Sequence, residues 1–235
     1  MLRGLASVPH SRAAEIMEIL YEDNHLLVIE KPSGLATMGL ADGEETLLTL
    51  AKDYVKAKHN KPGNVYLGVV SRLDVPVSGV VVFARTSKAA ARLNDQFRDR
   101  TAKKTYLALV EGTIEPIAAE CIDRIREDER HRKAWITRDL IGKDSKLSYK
   151  RLQRLTSCSL IEIHLETGRK HQIRVQLASR GFPILGDRKY GARCEFPNGI
   201  ALHAWKLILC HPIGGEALEF VAPLPASWKK FGVGL

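Results

Sequence analysis

The stretch "SRLDVPVSGVVVFARTS", residues 71–87, places two charged side chains directly before a segment that has the composition of a buried strand. Arg72 and Asp74 precede the rigid turn "PVSG", and five apolar residues, Val80 to Ala84, follow at once. A short apolar run bounded by turn residues is typical of a strand that is covered on both faces. A carboxylate held by a rigid turn at the mouth of such a strand has a fixed direction, as catalysis requires.

Strands predominate on both sides of this stretch. The residue patterns predict strands within 18–34 and at 64–70, 79–84, 103–112, 159–167, 200–212 and 217–225. They predict helices at 46–59 and 86–100 and a third that starts after "TGR" and stops near Gly181. The charged segment 120–148 is expected to form exposed strands and loops. The sequence therefore predicts an α+β fold with a mixed, largely antiparallel sheet and flanking helices, and not a doubly wound parallel fold.

The composition is that of a soluble globular chain, and its basic excess favours a polyanionic partner, with a generally basic protein without such a partner as the alternative. Its 36 Lys and Arg exceed its 27 Asp and Glu, and a net charge of +9 favours nucleic acid as that partner. No apolar run reaches the length of a membrane helix, so no membrane partner is expected. The four cysteines are far apart and form no Cys-x-x-Cys pair, which argues against a zinc finger and for reduced thiols.

These features predict a cytoplasmic protein, with import into an organelle left open by the arginines and serines of the N-terminus. Residues 1–17 are expected to form a flexible tail, and residues 18–235 one folded domain that acts as a monomer.

Asp74 has several possible roles when it is considered alone. A carboxylate in this position can be a nucleophile, a general base or a metal ligand. A metal site would need further Asp, Glu or His at short spacing, and none is nearby in the sequence. A structural Asp that caps a turn is the alternative, and for a lone Asp it is the stronger interpretation.

A second segment, "ETGRKHQIRVQLASRG" at 166–181, provides cations that could accompany this carboxylate. It contains Arg169, Lys170, His171 and Arg174, and the last two are spaced to share a helix face. The apolar residues that follow must be buried, which brings part of this turn against the core. A buried arginine requires a carboxylate partner, and Asp74 is the natural candidate. A solvated cationic helix face is the alternative.

Tyr106, in the strand "KKTYLALV", allows two interpretations. It can be a core aromatic residue whose hydroxyl is hydrogen-bonded, or a platform on which a base stacks. Lys104 lies on the same strand face and could then contact a phosphate. The sequence pattern favours neither interpretation.

Taken together, these segments resemble the RluA-type pseudouridine synthases. "SRLDVPVSG" resembles their His-Arg-Leu-Asp-x-x-Thr-Ser-Gly motif, and "EKPSGLATMG" resembles their Lys-Pro-x-Gly segment. Their Lys-x-Tyr strand is matched by "KKTYLALVEG". Their Thr-Gly-Arg-x-His-Gln-Ile-Arg segment, through its Gly-Asp-x-x-Tyr-Gly end, is matched by "TGRKHQIRVQLASRGFPILGDRKYG". Their C-terminal strands are matched by "ALHAWKLILCHP" and "FVAPLP". Five motifs in the family's order, from about residue 18 to about residue 228, are far more specific than any single motif.

The resemblance implies an enzyme that isomerises a uridine of rRNA or tRNA to pseudouridine without a cofactor or a metal. It implies two subdomains that share the sheet, with the catalytic cleft between them. Asp74 would be the essential carboxylate and Arg174 the arginine that pairs with it. Tyr106 would stack on the flipped uracil and is a candidate for removing a proton.

The resemblance also implies residues that bind the substrate. Arg72 would fill the space that the flipped base leaves. Arg169, Lys31 and Lys104 lie in matched segments, where they would contact phosphates or position loops, and His171 is predicted to bind substrate. Many relatives have an N-terminal S4 domain, which the early start of the motifs leads us not to expect here.

Two positions depart from the family's motif, since Ser71 stands where His is common and Val77 where Thr is common. Neither change removes a catalytic group, although the loop loses a hydroxyl. Two other functions remain open from the sequence. One is a catalytically silent RNA-binding or assembly factor on the same fold. The other is a hydrolase that uses Asp74 as nucleophile and His171 as the base for water.

Overall fold

The computed structural model describes residues 17–39 and 44–233. The predicted N-terminal tail therefore lies outside the described residues, apart from Met17, which packs into the core. The described part of the chain contains eleven strands and three α-helices. The strands are β1 (Glu18–Glu22), β2 (Leu26–Lys31), β3 (Gly68–Val69), β4 (Ser78–Ala84), β5 (Lys103–Glu111), β6 (Ala118–Asp128), β7 (Lys133–Thr137), β8 (Lys143–Arg154), β9 (Cys158–Leu165), β10 (Leu202–Cys210) and β11 (Ala217–Val221). The helices are α1 (Leu47–Lys58), α2 (Ser87–Arg98) and α3 (Gln172–Ala178).

All eleven strands belong to one sheet. Its order is β1-β2-β4-β10-β5-β9-β8-β6-β7, and β3 and β11 pair with β4 and β10 beside this path. Every pairing is antiparallel except that of β10 with β4. The predicted α+β fold with a mixed, largely antiparallel sheet is confirmed. The parallel pairing joins the two halves of the sheet, the first built on β1, β2 and β4 and the second on β5 to β9.

The run Val80–Ala84 is covered on both faces, as its composition predicts. Val80 and Val82 pack against α2, whereas Val81 and Phe83 pack against α1. Alternation along the strand sends successive side chains to opposite faces, so a strand between two helices must be apolar at every position. This packing fixes the end of β4 at which the Asp74 loop enters the sheet.

Gly79 makes the junction between the two halves possible. It has a φ of +116°, and it pairs with Ala204 of β10. A Cβ atom at this position would lie 2.3 Å from the carbonyl oxygen of Ala204. Only glycine provides both this backbone conformation and this close approach of two strands.

Two predicted elements differ from those observed. The strand predicted at 64–70 is reduced to β3, because β4 offers it only Ala84 and Phe83 and pairs with β10 at its other end. The third helix begins at Gln172 and not directly after "TGR". The side chain of Gln172 bonds to Thr167 and to the backbone of Arg169, which keeps that turn outside the helix. His171 consequently precedes the helix and does not share a helix face with Arg174.

Candidate active site

A cleft of about 1520 Å³ crosses the junction of the two sheet halves. It is larger than the roughly 300–1,000 Å³ of a typical small-molecule site. Of the described residues that line it, ten are Lys or Arg and four are Asp or Glu. Seven of the eight residues that the sequence singles out line this cleft: Arg72, Asp74, Lys104, Tyr106, Arg169, His171 and Arg174. A cationic groove of this size is suited to a polyanionic chain and not to a small metabolite.

Arg174 links Asp74 to a second carboxylate, that of Asp187. Its Nη1 donates to Asp74 Oδ2 at 2.9 Å, while Nε and Nη2 donate to the two oxygens of Asp187 at 2.7 and 2.9 Å. The Arg174 side chain is 5% exposed, that of Asp187 is 1% exposed, and that of Asp74 is 28% exposed. Asp187 therefore anchors the arginine with a bidentate pair, and Asp74 faces the cleft. Burial acts to lower the pKa of Arg174, but Asp187 and Asp74 outweigh it and raise this pKa.

The loop that contains Asp74 is held by the segment at 31–37. Thr37 bonds to both backbone groups of Leu73, at 3.0 and 3.1 Å. The carbonyl oxygen of Val75 accepts from the backbone of Gly34 at 2.8 Å and from Lys31 Nζ at 3.2 Å. The residues on both sides of Asp74 are thus fixed, which supplies the rigidity that the turn "PVSG" predicts.

Lys31 is the one predicted site residue that does not line the cleft. It is fully buried, and its Nζ donates to the carbonyl oxygens of Pro32, Leu35 and Val75. Burial lowers the pKa of Lys31 to about 7, although the charge of Asp74 acts to raise it. Of the two roles predicted for Lys31, phosphate binding and loop positioning, these contacts favour loop positioning, because backbone oxygens enclose its Nζ. Its contacts are those of a loop-positioning residue.

Tyr106 and Lys104 lie on one face of β5, at the floor of the cleft. Tyr106 is buried, and burial together with the charge of Asp74 raises the pKa of its hydroxyl well above the ordinary value. Lys104 lies 5.8 Å from the ring centroid of Phe97, and burial lowers the pKa of its amine. The pair presents an aromatic ring and a cation to whatever occupies the cleft.

His171 lies between Asp74 and a residue that the sequence did not single out, Tyr190. Its Nδ1 is 2.8 Å from the Tyr190 hydroxyl, and its Nε2 is 3.7 Å from Asp74 Oδ2. Burial lowers the pKa of His171 to about 4, so the ring is neutral at physiological pH. The motif Gly-Asp-x-x-Tyr-Gly at 186–191 contains both missed residues, Asp187 and Tyr190, and was the available signal.

Arg72 and Arg169 occupy the rim of the cleft. Arg72 is exposed on the loop before β4, and Arg169 donates from Nε to the carbonyl oxygen of Asp144 at 3.0 Å. Both guanidinium groups are within the lining of the groove and can reach a bound chain.

Within residues 17–39 and 44–233, no cluster of three or more His, Cys, Asp or Glu side chains has the arrangement of a metal site. Over the same ranges, no helix has the length and apolar character needed to cross a membrane. Cys121, Cys158, Cys194 and Cys210 are all free thiols.

Residues 25–179 match the RNA pseudouridylate synthase family. The chain belongs to this family. It is 37% identical to the RNA pseudouridine synthase YhcT of Bacillus subtilis over 222 residues, covering 91% of this chain and 70% of the relative. It is 36% identical to the ribosomal large subunit pseudouridine synthase D of Nitrosomonas europaea over 233 residues, covering 92% of this chain and 64% of that relative.

A comparison of folds identifies the same family. The solved structure of human RNA pseudouridylate synthase domain containing 4 is similar, with a TM-score of 0.77 and 27% identity. That similarity covers 92% of this chain and 94% of the human one. The synthase is thus an enzyme that isomerises uridine in RNA to pseudouridine, and the predicted family, fold class and reaction are confirmed.

Proposed function

We propose that this synthase modifies a specific uridine of ribosomal RNA, with Asp74 as the essential carboxylate. The observation that supports Asp74 most strongly is its position: it faces the cationic cleft while Arg174, itself anchored by Asp187, binds one of its oxygens at 2.9 Å. A reacting carboxylate must be held at a fixed direction and must remain open to the substrate. Asp74 meets both conditions.

The reaction breaks the bond between N1 of uracil and C1′ of ribose and forms a bond from C5 to C1′. One proton leaves C5 and one joins N1, so the atoms of the nucleoside are conserved. Asp74 can serve this exchange by attacking C1′, by attacking the base, or by assisting the departure of uracil toward a glycal. Each route requires the uridine to leave its stack and enter the cleft.

Tyr106 and the cations of the cleft receive the flipped nucleotide. Tyr106 stacks on the uracil and is the candidate for removing the proton from C5. Its raised pKa keeps the hydroxyl protonated, so it must pass its own proton on as it takes that one. Lys104 and Arg169 contact flanking phosphates. Arg72, at the exposed rim, fills the space that the base leaves. His171 contacts the substrate beside Asp74, and Lys31 positions the Asp74 loop from behind.

The choice of ribosomal RNA is supported by a relative, since the Nitrosomonas europaea protein is named for the ribosomal large subunit. Transfer RNA is the other candidate substrate. We further propose that residues 18–235 act as one catalytic domain, as a monomer in the cytoplasm.

The test is a comparison of pseudouridine maps of total RNA from cells with and without the gene. We expect one rRNA position, or a small number of positions, to lose its pseudouridine and to regain it with the purified protein. Loss confined to tRNA would redirect the substrate, and unchanged maps would contradict the proposal. Release of free uracil in the purified reaction would indicate a hydrolase instead.

A further inference from the structure

His171 has an unusual backbone and a ring with a different partner on each side. Its φ is +53°, in the left-handed region that residues other than glycine seldom adopt. Such conformations persist where the surroundings determine them, and they are frequent at functional sites. The ring is 10% exposed, with Tyr190 at Nδ1 and Asp74 beyond Nε2. Both ring nitrogens are therefore directed by neighbours.

The hydrogen bonds of Tyr190 favour one of the two neutral tautomers of His171. The Tyr190 hydroxyl oxygen accepts from the backbone N–H of Ala134 at 2.9 Å. A backbone N–H can only donate, so the hydroxyl proton remains available for the nitrogen at 2.8 Å, His171 Nδ1. When Nδ1 accepts, the neutral imidazole has its proton on Nε2.

The opposite tautomer is disfavoured on both sides of the ring. It would turn the Nε2 lone pair toward the Asp74 carboxylate, and it would make the Tyr190 oxygen accept from Nδ1–H as well as from Ala134. Burial lowers the pKa of the ring to about 4 and keeps it neutral. The charge of Asp74 acts to raise this pKa, and the charges that lower it are those of Arg174, Lys189 and Lys170.

Arg174 Nη1 and His171 Nε2 approach the same oxygen of Asp74. Nη1 is 2.9 Å from Oδ2 and Nε2 is 3.7 Å from Oδ2. Arg174 Nη1 donates a hydrogen bond to Oδ2, and His171 Nε2 lies toward the same oxygen at more than hydrogen-bond distance, so both groups approach the carboxylate from its Oδ2 side. Oδ1 is therefore the oxygen that can meet the nucleotide.

We propose that Tyr190 is a positioning residue that holds His171 in its Nε2–H tautomer, so that His171 and Arg174 together direct Oδ1 of Asp74 at the substrate. This inference deepens the proposed function and depends on the role given there to Asp74. Tyr190 is itself anchored to the sheet, because Ala134 belongs to β7 and packs with Ile125 and Val175.

The first test determines the tautomer of His171 and requires neither RNA nor an activity assay. ¹⁵N NMR of histidine-labelled protein, with His171 assigned by comparison with His171→Gln, should show Nε2–H in the wild type and no protonation between about pH 5.5 and 8. In Tyr190→Phe the ring loses the donor at Nδ1, so the Nδ1–H tautomer should become populated. An Nδ1–H tautomer in the wild type, or an unchanged Nε2–H tautomer in Tyr190→Phe, would overturn the proposal.

The second test measures turnover. Tyr190→Phe should lower kcat at least tenfold and leave KM for RNA within twofold. Tyr149→Phe is the matched control, because it removes another hydroxyl bond, to the carbonyl oxygen of Pro116 at 3.1 Å, outside the cleft. It should keep the wild-type kcat. Equal losses of kcat in the two variants would contradict a positioning role.

Two substitutions of His171 distinguish the contribution of its ring from that of its backbone conformation. The amide nitrogen of Gln reaches the place of Nε2, whereas that of Asn reaches only the place of Nδ1. Asn nevertheless suits the left-handed backbone better than Gln. We expect His171→Gln to retain at least fivefold more activity than His171→Asn, and the reverse order would show that only the backbone matters. An inactive wild type would refute the proposed function and leave the NMR result intact.

Discussion

Asp74 is the residue from which the largest catalytic effect is expected. Asp74→Asn keeps the shape of the side chain and removes its negative charge. We expect isomerisation to be abolished while RNA affinity stays within a few-fold, because backbone phosphate contacts supply most of the affinity. The measurement is pseudouridine formation by the pure variant beside a filter-binding titration. Asp53→Asn, on the exposed face of α1, is the control and should behave as wild type. Appreciable turnover by Asp74→Asn would remove Asp74 from the chemistry.

Removing the hydroxyl oxygen of Tyr106 distinguishes a role in stacking from a role in proton transfer. Tyr106→Phe retains the ring and loses the hydroxyl, so RNA affinity should stay within about twofold. A general base contributes typically about 10²–10⁴-fold, so the single-turnover rate should fall by about 10² or more. An unchanged rate would restrict Tyr106 to stacking. Equal losses of rate and affinity would fit neither role.

The sequence predicted the pair of Asp74 and Arg174 but not the residues that contact this pair from behind, Asp187 and Tyr190. Asp74 and Arg174 could be identified because each lies in a motif with several neighbouring signals. Asp187 and Tyr190 lie in the Gly-Asp-x-x-Tyr-Gly motif at 186–191, but the motif alone does not show their contacts with α3 and β7, on which their importance depends. Lys31 was identified from its motif, but the motif could not show that three backbone carbonyl groups enclose its amine.

Helix α3 and the turn at 186–191 are joined by a buried ion pair, and this junction can be tested apart from catalysis. Arg174→Met leaves Asp187 as an unpaired buried charge, which should lower the free energy of unfolding by about 3–5 kcal/mol. Removing both charges in Arg174→Met/Asp187→Leu should recover much of that stability but no turnover, because Asp74 still lacks its partner. Denaturant unfolding and pseudouridine assays measure the two effects. Recovered turnover in the double variant would contradict a catalytic need for the Asp74–Arg174 contact.

The junction of β4 and β10 depends on one glycine. Gly79→Ala places a Cβ atom against the backbone of Ala204 and should destabilise the fold by about 2–4 kcal/mol. Gly112→Ala is the matched control, since Gly112 also has a positive φ, +73°, but a Cβ atom added there would meet no heavy atom of another segment within 4 Å. It should cost only about 1–2 kcal/mol of backbone strain. Equal melting temperatures for the two variants would show that the close strand approach is not limiting.

Strands and helices could be predicted where the local residue pattern determines them, but not where their bounds depend on contacts with other residues. The apolar run Val80–Ala84 is sufficient to predict β4, and the Thr residues that cap α1 and α2 mark where those helices begin. The length of β3 depends instead on a distant partner, the edge of β4 that β10 occupies. The start of α3 depends on specific side-chain bonds from Gln172 to Thr167 and Arg169, which a residue pattern does not show. The place where the two sheet halves join was likewise set by pairing between residues that are far apart in the sequence, such as Ser78 and His203.

The whole molecule presents a cationic cleft that contains Asp74, and under the proposed function this cleft holds RNA while one base leaves the stack. Arg72 lies at the exposed rim, two residues before Asp74, and we propose that it fills the position that the base vacates. A side chain that fills this position offsets the cost of extrusion, which is a few kcal/mol from a stacked context and much less from a loose one. A side chain that only contacts a phosphate contributes equally to both.

Arg72→Ala should therefore slow the reaction on a stem-loop at least tenfold more than on an unstructured oligonucleotide with the same target. The measurement is the single-turnover rate at saturating enzyme, which removes any difference in binding between the two RNAs. Arg169→Ala is the control, because a phosphate contact should be lost by the same factor on both substrates. If Arg72→Ala behaves as Arg169→Ala does, Arg72 binds phosphate and the vacated stack is filled by another group or by water.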